Sequence, residues 1–274
     1  MIVDAHHHFW DPAQADYPWM TDEVAPIRRR FGPEHLEPLL RRHGVDGTIV
    51  VQARMEPAET LELLEIADAT PFVLGVVGWV DLTDADVTRV LRSFEVSKLV
   101  GIRHQAHDEP DPSWLRRPDV QRGIRAVGEA GLAYDFLVRP RELPAALETA
   151  RALPEVRFVV DHVAKPPIRS DLDPAWAEPL ARLSELENIH CKLSGLVTEA
   201  DWGSWRPADL VPYFAQALAW FGAERCMFGS DWPVCLLAAD YGQVLDTVRA
   251  ALSPAQSDPV LGESAVRCYG LEPG

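Results

Sequence analysis

Residues 1–10, MIVDAHHHFW, run from an apolar opening into three consecutive histidines and two aromatic residues. Read as a β-strand, this stretch alternates its side chains, so His6 and His8 share one face while His7 turns to the other. The useful unit is therefore His-x-His at the end of a buried strand. An added histidine tag would sit in a longer, polar leader, whereas these residues directly follow strand-like MIVDA and precede Phe9 and Trp10.

Seven further apolar runs follow, each carrying polar residues toward its end: GTIVVQ (47–52), FVLGVVGWVD (72–81), KLVGIRH (98–104), LAYDFLV (132–138), RFVVDHV (157–163), IHCKLSG (189–195) and RCMFGSDW (225–232). Continuous Val/Ile/Leu runs mark strands buried on both faces, as parallel sheets require. Between the runs lie helix-like stretches: Pro33–His43, Pro57–Ala69, Ala85–Phe94, Pro118–Ala130, Pro140–Ala152, Pro174–Leu186, Pro207–Phe221 and Tyr241–Leu252. Many begin with proline, which suits the first helical turn. The alternation predicts a single-domain (β/α)8 TIM barrel over residues 1–274. A doubly wound open sheet would alternate in the same way, but no Gly-x-Gly-x-x-Gly follows the first strand and no phosphate loop occurs. The irregular segment Asp11 to Gly32 is predicted to be a long loop at the active-site mouth.

Composition narrows the functional classes. A formal charge of −16 repels phosphate backbones, and no basic stripe offsets it, so nucleic acid is not an expected partner. The acidic residues are spread along helical segments such as ETLELLEIADA (59–69), which reads as a solvated outer layer. No apolar run approaches the length of a membrane span, and strand-like sequence begins at Ile2, so a soluble, cytoplasmic protein with no membrane partner is expected. The four cysteines, Cys191, Cys226, Cys235 and Cys268, are scattered and read as reduced thiols. A homo-oligomer is left open.

A barrel places its chemistry at the C-terminal ends of its strands. In order, those ends offer His6 and His8, Gln52, Asp81, Arg103 with His104, Tyr134 with Asp135, His162, Lys192 and Asp231. A lone buried histidine is more often hydrogen-bonded scaffold than ligand. Polar endings on all eight strands, gathered at one mouth, are hard to explain by packing alone.

DAHHHFW (4–10), GIRH (101–104), DHVAKP (161–166) and MFGSDWPV (227–234), in this order on eight strands, resemble the amidohydrolase superfamily. The likeness is to its sugar-lactonase branch, related to the L-fuconolactonases and the pyrone hydrolases. What the resemblance implies is a barrel hydrolase that opens small lactone rings. Members with two metals use a carboxylated lysine on strand four and a histidine on strand five. Here those strands end in Arg103 with His104 and in Tyr134 with Asp135. At most one divalent ion is expected, zinc first and manganese second, on His6, His8 and Asp231, and the reaction is also conceivable with none.

Lactone opening needs a nucleophilic water, a polarised carbonyl and a proton for the departing alkoxide. Asp231 is the expected general base, Arg103 an oxyanion partner, and His162 the proton shuttle. Gln52, His104 and Lys192 are expected to bind ring hydroxyls, and Trp10, Trp19 and Trp232 to wall the pocket. Asp161 is expected to face the helical layer as scaffold, and Lys165 ranks below Lys192 as a ligand contact. The rivals are a metal-dependent decarboxylase of the same superfamily and a non-catalytic sugar-binding protein. Acid release, gas release or neither would separate the three.

Overall fold

The computed structural model describes residues 1–94, 98–168 and 172–272. Eight strands pair in sequence order, all parallel: β1 (Val3–His7), β2 (Gly47–Val51), β3 (Val73–Gly78), β4 (Leu99–His104), β5 (Ala133–Phe136), β6 (Arg157–Val160), β7 (Ile189–Leu193) and β8 (Cys226–Phe228). The end strands meet just beyond β8, where Asp231 N donates to His6 O (2.8 Å) and His8 N to Trp232 O (2.7 Å). The sheet thus closes into the expected (β/α)8 barrel.

The helices between the strands are α1 (Pro33–His43), α2 (Pro57–Ala69), α3 (Val87–Arg92), α4 (Pro118–Glu129), α5 (Leu143–Ala152), α6 (Pro174–Ser184), α7 (Pro207–Phe221) and α8 (Tyr241–Ala250). Five of them start on proline, whose missing N–H costs nothing in the first turn. Five are shorter than their sequence pattern: α4 by one residue and α6 and α8 by two at their C-terminal ends, α3 by Ala85, Asp86, Ser93 and Phe94, and α5 by the three residues from Pro140. Two short helices were not expected, α9 (Pro254–Asp258) and α10 (Ser264–Tyr269).

Those last helices explain how the barrel is filled. Ala265, Cys268, Tyr269 and Leu271 join Val3, Ala5, Ile49, Val51, Val77, Ala133, Val159 and Met227 in one buried cluster, so the chain's end seals the barrel interior. A larger apolar layer lies between strands and helices. Strict alternation from Val3 and Ala5 would carry His6 and His8 to the outer layer. A register break prevents this: Asp4 pairs with Thr48 and His7 with Val50, three steps along β1 against two along β2. The extra residue shifts the phase, as a β-bulge does, and turns His6 and His8 to the mouth. Gly229 makes room for this, because a Cβ there would lie 2.7 Å from that of His6.

The loop from Asp11 to Gly32 is pinned at its base, where Trp10 and Phe31 exchange backbone hydrogen bonds of 3.0 and 2.9 Å. Within it Trp19 donates its indole N–H to Ala53 O just after β2, at 3.0 Å. The loop therefore stands over the C-terminal ends of β1 and β2, as its sequence predicts.

Candidate active site

The site is built on buried charges along the barrel axis. On β5 and β6, Ala133 and Val159 belong to the interior cluster, and Asp135 and Asp161, two residues on, continue inward. The expectation that Asp161 faces the helical layer is therefore corrected, because it keeps the phase of Val159. Lys192 of β7 lies between the two carboxylates, 2.6 Å from Asp135 Oδ2 and 3.0 Å from Asp161 Oδ1, with all three side chains fully buried. Tyr269 of α10 donates its hydroxyl to Asp135 from below, and Arg103 of β4 donates to Asp161 Oδ2 at 3.0 Å. Burial alone would raise the pKa of Asp161, but Lys192, His6 and Arg103 hold it well below the usual carboxylate range. Asp135, with one cation instead of two, is left raised by burial to about 6.

His6 sits directly above this layer. Its Nδ1 is 3.3 Å from Asp161 Oδ1 and 3.2 Å from Lys192 Nζ, and its Nε2 is 3.3 Å from Arg103 Nη1. Burial, reinforced by Lys192, keeps the ring neutral far below its ordinary pKa despite the pull of Asp161. A proton on Nδ1 facing Asp161 leaves Nε2 bare. His8 donates Nδ1–H to Val51 O at 2.7 Å, which fixes its tautomer and leaves its Nε2 bare as well.

Asp231 completes the cluster from the loop after β8. Its Oδ1 is 3.4 Å from His8 Nε2 and 3.8 Å from His6 Nε2, and the two imidazole Nε2 atoms are 3.3 Å apart. Tetrahedral zinc with bonds of about 2.0–2.1 Å to nitrogen and oxygen separates its ligand atoms by about 3.3–3.4 Å. Two bare imidazole nitrogens and a carboxylate at these spacings fit a divalent cation. A second trio, His6, Asp161 and His162, also converges, but its carboxylate already serves Lys192 and Arg103.

Backbone strain aims the remaining groups. Asp231 has a φ of 55°, and His162, Val163, Ala164 and Lys165 form an unbroken left-handed stretch with φ of 54°, 52°, 58° and 49°. Each such non-glycine residue costs ~1–2 kcal/mol. The stretch is held by Trp176 donating to Val163 O (2.7 Å), by Lys165 N donating to His162 O (2.8 Å), and by the His162 Nδ1 to Ser194 Oγ contact (2.9 Å). His162 Nε2 consequently points at Asp231 Oδ1, 4.0 Å away. Burial pushes the pKa of His162 well below its usual value, so the ring is neutral. Burial by itself would raise Asp231, but His162 and His8 bring it below the ordinary carboxylate value, so it is ionised.

Above these groups opens a cavity of about 160 Å3, lined on its functional side by His8, Arg103, His162, Lys165 and Asp231. At ~30 Å3 per water, that is room for about five waters, the scale of one small ring and its substituents. Trp19, Ala53, Leu137 and Val234 supply apolar wall; Gln105, His107 and Asp108 supply polar wall.

Of the expected site residues, His8, Arg103, His162, Asp231 and Trp19 line this cavity, with His6 directly behind. The others are held elsewhere. Lys192 is sealed beneath His6 by its two carboxylates. Gln52 is fully buried and donates its amide to Arg103 O at 3.1 Å. His104 falls on the outward phase of β4, stacks on Trp114 with centroids 4.0 Å apart, and contacts Glu109. Trp10 donates its indole to Ile27 O and Arg29 O behind Trp19, and Trp232 packs edge-on against Phe31. Conversely, Lys165 faces the cavity, as do Gln105, His107 and Asp108, which sequence reasoning did not single out. Gln105 directly follows GIRH, and a polar run just past a barrel strand was the available signal.

A parallel eight-stranded barrel whose mouth carries His-x-His from the first strand and an aspartate from beyond the eighth defines a hydrolase-type site capable of holding a metal. The amidohydrolase family model matches residues 3–271, and the chain belongs to that family. It is 44% identical over 244 residues to the L-fucono-1,5-lactonase of Burkholderia ambifaria, covering 88% of this chain and 83% of that protein. It is also 38% identical to the L-fucono-1,5-lactonase of Burkholderia multivorans, over 98% of this chain and 96% of that one. A crystal structure of a B. multivorans amidohydrolase with bound zinc superposes with a TM-score of 0.94 at 37% identity, over 99% of this chain and all of that one.

The buried carboxylate Asp4 gives a pH signature. Its Oδ1 accepts from Ser230 N at 2.8 Å and its Oδ2 from the Tyr241 hydroxyl at 3.0 Å, tying β1 to the Asp231 loop. Burial outweighs these bonds and raises its pKa from 3.8 to about 6. Between those values the folded state binds the proton more tightly than the unfolded chain, so this group's contribution declines as pH rises through the window, by up to about 3 kcal/mol. Denaturant unfolding of wild type and Asp4→Asn at pH 4 and pH 7 is expected to show the wild type losing more stability than the variant on going to pH 7. Equal changes would mean that Asp4 is not protonated at pH 4 in the folded state.

Proposed function

We propose that this protein hydrolyses a monosaccharide-sized aldonolactone to its aldonic acid, with a lactone of the L-fucono-1,5 type as the leading substrate. The observation that carries the reading is the convergence of His6, His8 and Asp231 beside a cavity sized for one sugar ring. The two lactonases at 38–44% identity motivate the substrate class.

His6, His8 and Asp231 would hold one divalent ion, zinc first and manganese second. When bound, it supplies a Lewis acid beside the carbonyl. The chain's own groups account for the remaining chemistry. Asp231, ionised and facing the cavity, orients the attacking water and accepts its proton. Its depressed pKa makes it a modest base, so the proton is best passed on. His162, neutral and next to Asp231, receives it and delivers it to the departing ring oxygen. Arg103 is a fixed positive charge on the cavity wall. Its Nη atoms are engaged by Asp161, His6 and Gln52, which hold the guanidinium in place, and its charge favours the developing oxyanion. Trp19 offers an indole face to the ring.

The direct test is acid release from a panel of aldonolactones, read with a pH indicator. Rapid opening of a 1,5-lactone is expected, and absence of acid release across the panel would contradict the assignment. Asp231→Asn retains the shape of the side chain but not its basicity, and kcat is expected to fall by about 10²- to 10⁴-fold with the fold intact. Activity near wild type would remove Asp231 from the mechanism.

Elemental analysis tests the ligand set separately. Wild-type protein is expected to carry no more than one equivalent of divalent metal, and His6→Ala/His8→Ala to carry almost none. Two tightly bound equivalents, or the same content in both proteins, would contradict the proposed site.

A further inference from the structure

We propose that Lys165 is a substrate-contact residue that selects polyhydroxylated lactones over plain ones, an inference that rests on the lactonase reading of this site. Three observations converge on it. Lys165 lines the cavity together with His162 and Asp231, and its side chain is 15% exposed. Its ammonium has three N–H donors, and among the described residues Glu199 is its only hydrogen-bond partner, through Oε1 at 2.9 Å. Two donors are therefore left beside a cavity that Trp19, Ala53, Leu137 and Val234 line with apolar surface and Gln105, His107 and Asp108 with polar groups.

The backbone supplies the third. The left-handed stretch that aims His162 at Asp231 continues without interruption through Lys165, so one strained turn sets both side chains at the same cavity. Strain of this kind persists only where the surroundings over-determine it, and it gathers at binding and catalytic sites. Val163 and Ala164, between the two, are fully buried and anchor the turn, while Gly195 lies so close that a Cβ there would be 2.4 Å from His162 Nδ1.

The chemistry of the donor defines its ligand. The partly desolvated ammonium shares Glu199 with Arg139, 3.4 Å from the carboxylate's other oxygen, and retains directional N–H groups for oxygen acceptors. Vicinal ring hydroxyls are such acceptors; the methylenes of an unsubstituted lactone are not. A site built to hydrogen-bond hydroxyls discriminates strongly against a ligand that lacks them, because its polar groups are then left unpaired.

The experiment compares wild type, Lys165→Met and Lys165→Arg on two neutral substrates, a polyhydroxylated 1,5-lactone and δ-valerolactone. For Lys165→Met, kcat/KM on the hydroxylated lactone is expected to fall by about 10- to 100-fold, carried mainly by KM, while δ-valerolactone changes by less than about threefold. Lys165→Arg, which keeps the donors, is expected to recover much of the loss. An equal loss on both substrates would make Lys165 a support for the turn or its field, and no loss on either would remove it from the site. Wild-type protein that opens neither substrate would overturn the lactonase reading and this inference with it.

Discussion

Lys192, held between Asp135 and Asp161 at the centre of the barrel, is the contact on which the site depends. Two carboxylates enter a barrel interior otherwise lined by residues such as Val159, Ala133 and Met227, where an unpaired charge costs several kcal/mol. One ammonium serves both. Arg103 adds a second cation on Asp161, so the four charges balance within one buried layer, and Tyr269 satisfies Asp135 from the floor. The asymmetry of the two carboxylates follows from this: Asp161 with two cations is driven well down in pKa, whereas Asp135 stays high at about 6. His6 rests on the stronger of the two, so the register break in β1 that turns the ring inward is matched by a carboxylate that fixes it there.

Above that layer the protein uses backbone strain to aim side chains. His162 and Asp231 both occupy left-handed conformations immediately beyond their strands, where the chain would otherwise carry them away from the axis. Turning the backbone brings each side chain over the mouth, so that two groups from β6 and β8 face each other across 4.0 Å. The energy for holding these conformations comes from the packed scaffold beneath and around them: Trp176 and Ser194 for one, and the Asp4–Ser230 link for the other.

Much of this was legible in the sequence. The alternation of apolar runs with proline-started helices specified the barrel, and polar residues at the run ends marked its working face. His8, Arg103, His162 and Asp231, expected at the mouth, line the cavity, because a side chain just past a barrel strand has few directions open to it. The errors share a physical origin. Lys192 was misplaced because depth along the axis cannot be read from position in a strand; an inward lysine near a strand end serves the mouth or the core according to which carboxylates share its surroundings, whereas Asp161 was misplaced in phase, keeping the inward phase of Val159. His104 follows Arg103 and so falls on the outward phase. Lys165 gains its place from four left-handed residues that no local propensity announces. The closure of the barrel floor by α10 depended on a long-range contact, Tyr269 with Asp135, separated by 134 positions.

The most direct measurement is the coupling energy between Lys192 and Asp135, from denaturant unfolding of wild type, Lys192→Met, Asp135→Asn and the double variant. Removing the cation alone leaves two buried carboxylates with weakened compensation, a loss of about 3–5 kcal/mol. Neutralising Asp135 in the same protein should return a substantial part of it. The account predicts a coupling of about 2 kcal/mol or more between the two substitutions. Effects that simply add within ~0.5 kcal/mol, the behaviour of independent sites, would contradict the claim that this ion pair organises the site.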